Sequence, residues 1–195
     1  MTTLTRQPGA TPGGTLNADW HRPALYLFTA VVLAHWVEHL TQAVQLYILN
    51  WPLAQARGAL GYYYPWLVKS EWLHYGYAVV MLVALVVLRH GFTGRARRWW
   101  GAAMWIQAWH HVEHLLLLIQ ALTGAYLLGA AKPSSIAQLV VPRVELHLFY
   151  NTIVFIPMVV AMVLHLRPTP QEQALMHCAC APRRSPSAGT VAWSV

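Results

Sequence analysis

The chain has 195 residues, 57% of them hydrophobic and only 10% charged, with ten Trp, nine Tyr and a net charge of +7. Soluble domains carry about 25% charged residues, so the composition excludes an ordinary water-soluble domain, and the length allows one domain of usual size. The basic residues lie between apolar runs rather than along a stripe, and no nucleic-acid motif accompanies them, so nucleic acid is excluded and the lipid bilayer is the expected partner.

Residues 1–20, rich in Thr, Gly and Pro, read as a flexible tail. They hold no apolar signal-peptide core, so the first membrane helix is expected to direct insertion itself. An apolar run over 23–49 follows, opened by His21-Arg22-Pro23 and closed by Asn50-Trp51-Pro52. At about 1.5 Å per residue it can cross a hydrocarbon core of about 30 Å. The loop over 50–64 leads into Tyr62-Tyr63-Tyr64-Pro65-Trp66, which has the make-up of an interfacial aromatic belt. Further apolar runs cover 66–88, 99–128 and 143–166, the last containing Pro157. A basic loop with Arg89, Arg95, Arg97 and Arg98 divides the second run from the third. Residues 168–195 lack periodicity and read as a disordered cytoplasmic tail.

The expected fold is therefore an all-α integral membrane protein, a four-helix transmembrane bundle over 21–167. Nine Lys and Arg fall in the two tails and the 89–98 loop, against four in the other loops and their edges. That asymmetry places the chain as a multi-pass protein of the cell membrane with both termini in the cytoplasm.

The runs also look duplicated. His35-Trp36-Val37-Glu38-His39 and His110-His111-Val112-Glu113-His114 both read His-x-x-Glu-His, 75 residues apart, and Gln45 and Gln120 repeat that step. Leu73-His74-x-x-Tyr77 matches Leu146-His147-x-x-Tyr150 at a step of 73. Two agreeing offsets predict two tandem helix-pair repeats around a pseudo-two-fold axis along the membrane normal.

Positions i, i+3 and i+4 share one helix face, so each His-x-x-Glu-His string turns two imidazoles and a carboxylate the same way. Only six acidic residues exist; Glu38, Glu71, Glu113 and Glu145 lie in or at the apolar runs, each with a His within three positions. An ionisable group among Leu, Val and Ala is costly unless it is paired or bound. Rise arithmetic puts Glu38 about 16 Å below Leu49 and His74 about 12 Å below Trp66, so all four helices offer ligands at one level in the outer half. The reading is a transition-metal site (iron, copper, manganese or zinc) made by His35, Glu38, His39, Glu71, His74, His110, Glu113, His114 and His147. Glu145 and His147 lie about 200° apart on a helix, which suits Glu145 to the helix N-terminus instead.

The function expected of such a site is redox chemistry on a small or lipophilic substrate. A metal-ion or proton transporter or sensor using the same residues is the alternative, and a haem b electron carrier, with His39/His74 or His114/His147 as axial pairs, is the third. The zinc-protease string His-x-x-Glu-His fits poorly with two symmetric copies in membrane helices. His111 points about 100° away from His110 and suits an interhelical contact. Tyr77 and Tyr150, one turn from ligands, are candidates for carrying a proton or radical. His177, Cys178 and Cys180 in the tail form a pair of thiols and an imidazole suited to passing a soft metal to a delivery or electron-transfer partner, or an incidental pair. The sequence leaves the metal, the substrate, the oligomeric state and the choice between enzyme, transporter and carrier open.

Overall fold

The computed structural model describes residues 15–178 and 180, and within them it is helical with no strand. Most of the N-terminal tail, and residues 181–195 with Arg183 and Arg184, lie outside the described residues. Helix α1 (His21–Ala43) runs into a π-helical turn (Val44–Ile48) and stops at Asn50, whose φ of 53° leaves the helical region. The following loop holds two short helices, α2 (Gly58–Tyr63) and α3 (Pro65–Val68). Helix α4 (Glu71–Leu88) starts after a break at Lys69 and Ser70 rather than at Trp66. Helix α5 (Gly94–Thr123) begins before the expected Trp99, and Gly124 in the left-handed region (φ 71°) ends it. Helix α6 (Arg143–Leu166) passes through the buried Pro157, and α7 (Pro170–Ala174) closes the described chain.

Helix α5 is packed between α4 and α6, while α1 lies against α4 and α6. Phe28, Val32, Met81, Leu85, Phe92, Trp100 and Met158 form the core beneath the histidines. Trp100 is fully buried; its indole N–H donates to the Leu85 carbonyl at 2.8 Å, and Phe92 stacks on it at 4.3 Å between ring centres. The outer faces are apolar too. Leu27, Val37, Val80, Val83, Ile156 and Val163 are exposed, and helices apolar on both sides need a non-aqueous surrounding. Tyr62, Tyr63 and Trp66 are exposed together at the α2–α3 end.

Three stretches, His21–Ile48, Glu71–Gly91 and Arg143–Leu166, are long and apolar enough to cross a membrane. The expected fourth, α5, does not qualify by composition. It opens with Arg95, Arg97 and Arg98 and carries Gln107, His110, His111, Glu113, His114 and Gln120, of which Gln107, Glu113, His114 and Gln120 are buried. The long helix with the most polar groups thus keeps four of them buried, Gln107 against α4 and Glu113 and Gln120 against the loop that follows α5.

The expectation of a structureless tail from residue 168 is corrected for its first part. Thr169 caps α7: its hydroxyl accepts from the Glu172 N–H, and the Glu172 carboxylate accepts from the Thr169 N–H at 2.9 Å, with Pro170 in the first turn. Glu172 also takes the N–H of Arg95 at 2.9 Å and its guanidinium at 3.0 Å, docking α7 on the start of α5. The Arg95 guanidinium and these N–H groups hold the Glu172 carboxyl well below the usual carboxylate range. A depressed folded value means the docking is at full strength above the unfolded value of about 4.3 and is lost only as pH falls through the lower folded one. Hydrogen exchange over 170–174 should therefore be equally slow at pH 7 and pH 5 in the intact protein, after correction for intrinsic exchange, and faster at both in Arg95→Ala. Release of wild-type α7 by pH 5 would contradict the clamp.

Candidate metal centres

Helices α1 and α5 each place two imidazoles one turn apart on the face turned to the other helices. The Nε2 atoms of His35 and His39 lie 3.1 Å apart, and those of His110 and His114 lie 3.1 Å apart. Bonds of about 2.0–2.1 Å to one metal ion would separate neighbouring ligand nitrogens by about 2.9–3.4 Å, so both pairs have the bite of a chelate. Helices α4 and α6 add His74 and His147. The Nδ1–H of His74 donates to the Ser70 carbonyl at 3.1 Å, and that of His147 to the Arg143 carbonyl at 2.7 Å. A carbonyl can only accept, so in both rings Nε2 carries the lone pair, the state a ligand needs.

The six rings meet. His39 stacks against His147 with ring centres 5.1 Å apart, and His74 against His114 at 6.1 Å. His147 also lies 5.9 Å from His110 and 5.5 Å from His114. Its Nε2 is buried with no hydrogen-bond partner, as are the Nδ1 atoms of His39, His110 and His114. Such orphans are costly in an apolar surrounding. A void of about 20 Å³ lies between His35, His74, His110, His114 and His147, about the space of a water molecule or ion. Tyr77 stacks on His35 at 3.7 Å and Tyr150 on His110 at 4.2 Å, so the two tyrosines back the first imidazole of each string. Of the pairs expected as axial ligands of haem b, His114 and His147 meet edge to face with ring centres 5.5 Å apart.

Of the carboxylates expected beside the imidazoles, Glu38 and Glu71 are engaged elsewhere, and Glu113 through one of its two oxygens. Both oxygens of Glu38 accept from the Leu60 N–H, at 3.0 and 2.9 Å, in the first turn of α2. Glu113 Oε1 accepts from the Ala137 N–H at 2.9 Å, at the start of a 3₁₀ turn (Ala137–Leu139). A carboxylate suits the positive end of a helical turn, so each serves as a clamp on the loop after its own helix. Glu113 Oε2 lies 4.0 Å from His110 Nδ1, and both atoms are buried without a hydrogen-bond partner. Glu71 forms a two-pronged pair with Arg143, at 2.8 and 2.9 Å, joining the starts of α4 and α6. Glu145, in the first turn of α6, accepts from the Tyr47 hydroxyl. The glutamines are also loop clamps: Gln45 exchanges hydrogen bonds with both backbone groups of Gly58, and Gln120 with both of Ser134. His111 packs on Tyr75 at 5.2 Å and stays outside the cluster.

Beside the imidazoles, a cavity of about 700 Å³ opens between α1, α4 and α6, walled by Val31, Leu60, Leu73 and Tyr77 with Lys69 and Arg143 among its lining. His35, His39, His74 and His147 reach it as well. The Tyr77 hydroxyl is buried and has no partner.

At the other end of the bundle, 14 residues and about 21 Å along α1 from His35, lies the one group that, among the described residues, brings together four side chains able to hold a metal ion. One ligand atom from each of His21, His165, Cys178 and Cys180 lies within 4.8 Å of all the others. The tail thiols, expected to act with His177, instead meet the first residue of α1 and the last turn of α6, and His177 is exposed. The missed signal is positional: His21 and His165 stand at matching ends of apolar runs, 159 and 13 residues from their thiol partners. No family model matches the chain, and neither a curated protein nor a solved structure does.

Proposed function

We propose that this chain is a four-helix membrane metalloprotein of two tandem helix pairs, in which six imidazoles hold transition-metal ions for redox chemistry on a small lipophilic substrate. The observation that carries the reading is the convergence of His35, His39, His74, His110, His114 and His147, two of them locked with Nε2 as the lone-pair nitrogen. In this reading each His-x-x-x-His pair is completed by the histidine stacked on it from the other helix pair, His147 for His35 and His39, and His74 for His110 and His114. Nitrogen-rich sets suit copper, iron or zinc. Copper is the first choice for a redox role.

The apolar cavity beside His35 and Tyr77 offers a substrate chamber, and Lys69 and Arg143 at its lining favour a molecule with a polar or anionic head. A transporter would need a polar path onward, yet Phe28, Met81, Leu85 and Met158 fill the bundle beneath the imidazoles. With α5 as the fourth span, the Lys and Arg count places both termini in the cytoplasm and the six imidazoles in the outer half.

The test is metal analysis with optical and electron paramagnetic resonance spectra on Cys178→Ser/Cys180→Ser protein, purified in mild detergent without chelator. That background keeps the tail thiols from contributing. One or two equivalents of copper or iron without a Soret band are expected. Protein free of metal after growth with each ion supplied, or a Soret band, would overturn the reading.

A further inference from the structure

The group at the opposite end of the bundle is separate from the imidazole cluster in place and in chemistry. Cys178 Sγ lies 3.3 Å from His165 Nε2, and Cys180 Sγ lies 3.5 Å from His21 Nδ1. A tetrahedral zinc ion with bonds of about 2.3 Å to sulfur and 2.0–2.1 Å to nitrogen would separate its ligand atoms by about 3.3–3.8 Å. The Cys178–His165 and Cys180–His21 spacings match two of those edges, and all four ligand atoms lie within 4.8 Å of one another. His21 is oriented as a ligand, because its Nε2–H donates to the Leu88 carbonyl at 3.1 Å and leaves the lone pair on Nδ1, the atom facing Cys180. Its ring lies flush on Gly91, where a Cβ would overlap it. Phe92 packs against His21 and His165, with ring centres 5.3 and 4.7 Å away. His21, His165 and Cys178 are all buried.

We propose that His21, His165, Cys178 and Cys180 bind one zinc ion that fastens the C-terminal segment to the inner ends of α1 and α6. Two thiolates and two imidazoles complete a tetrahedral shell with no position for water or substrate, so the site is structural. It joins the first residue of α1 to a cysteine 159 positions later, a closure that removes conformational freedom from most of the chain. The α7 clamp of Arg95 and Glu172 prepares it by returning the chain to the bundle before the two cysteines arrive. A disulfide is the poorer use of these sulfurs, since a bridge between residues one apart is strained, and neither imidazole would then have its partner.

The test uses the full-length protein in detergent, stripped of metal and reloaded with zinc or, as a spectroscopic probe, cobalt(II). Cobalt should give the sulfur-to-metal charge-transfer band and intense visible bands of a tetrahedral thiolate site. Zinc should slow thiol labelling about tenfold or more, because a metal-bound thiolate is withdrawn from reaction. Cys180→Ser and His165→Gln should each lose one equivalent of zinc, and His177→Ala should keep it. The cobalt spectrum and the labelling rate need no variant, so misfolding of a variant cannot hide the answer. Labelling unaffected by zinc, a cobalt spectrum without the sulfur band, a Cys178–Cys180 disulfide in the isolated protein, or copper(I) retained in place of zinc would each overturn the proposal.

Discussion

Replacing His147 with Ala should strip metal from the bundle core, lowering affinity by about a hundredfold or more while the three apolar spans still insert. Loss of a residue that only orients a ligand costs about 10–100-fold, and His147 is proposed as a ligand itself. It is the largest single effect expected among the six because its ring touches four others: His39, His74, His110 and His114. Its counterpart His74 has ring contacts with His114 and His147 alone, so His74→Ala should retain part of the metal. Metal titration of the two variants, read by equilibrium binding with the thiols replaced, separates these outcomes. Equal, wild-type affinity in both would remove the six-imidazole site from consideration.

Glu38→Ala should leave the core metal in place and destabilise the protein by about 1.5–3 kcal/mol, the range for losing hydrogen bonds to a charged acceptor. Its carboxylate accepts from the Leu60 and Gly61 N–H groups and lies against Gly58, whose φ of 76° and lack of a side chain let the loop close over it. Gly58→Ala should act in the same direction, because a Cβ would overlap the carboxylate and the left-handed backbone disfavours Ala. Thermal unfolding in detergent beside metal content decides the matter. Loss of metal at unchanged melting temperature would return Glu38 to the ligand set that its spacing suggests.

Glu38 also marks the limit of spacing as a guide. Positions i, i+3 and i+4 identify a shared face, and His35, His39, His110 and His114 use it as expected. Spacing does not assign the direction of a flexible carboxylate within that face. The loops over 50–64 and 129–142 offer unpaired N–H groups at short helical turns just above, and these outcompete a cluster of imidazoles for an anion. The same reason explains Gln45 and Gln120, which sit at equal spacing and bind their loops. In the tail, Thr169-Pro170-Gln171-Glu172 is a legible capping box, hidden only by the lack of apolar periodicity around it.

The membrane-like composition, the helical make-up and the four helices that carry the six imidazoles are legible in the chain alone, because periodicity and hydropathy are local properties. The remaining features depend on how the helices pack. Packing brings α1 against α6 and α4 against α5, so that His39 meets His147 and His74 meets His114. Packing also buries Gln107, Glu113, His114 and Gln120 of α5, a helix too polar to qualify as a span by composition. The return of the chain at α7 carries Cys178 and Cys180 to His165 and His21. Contacts between residues far apart in sequence depend on which helix faces fit one another, and no local pattern records that fit.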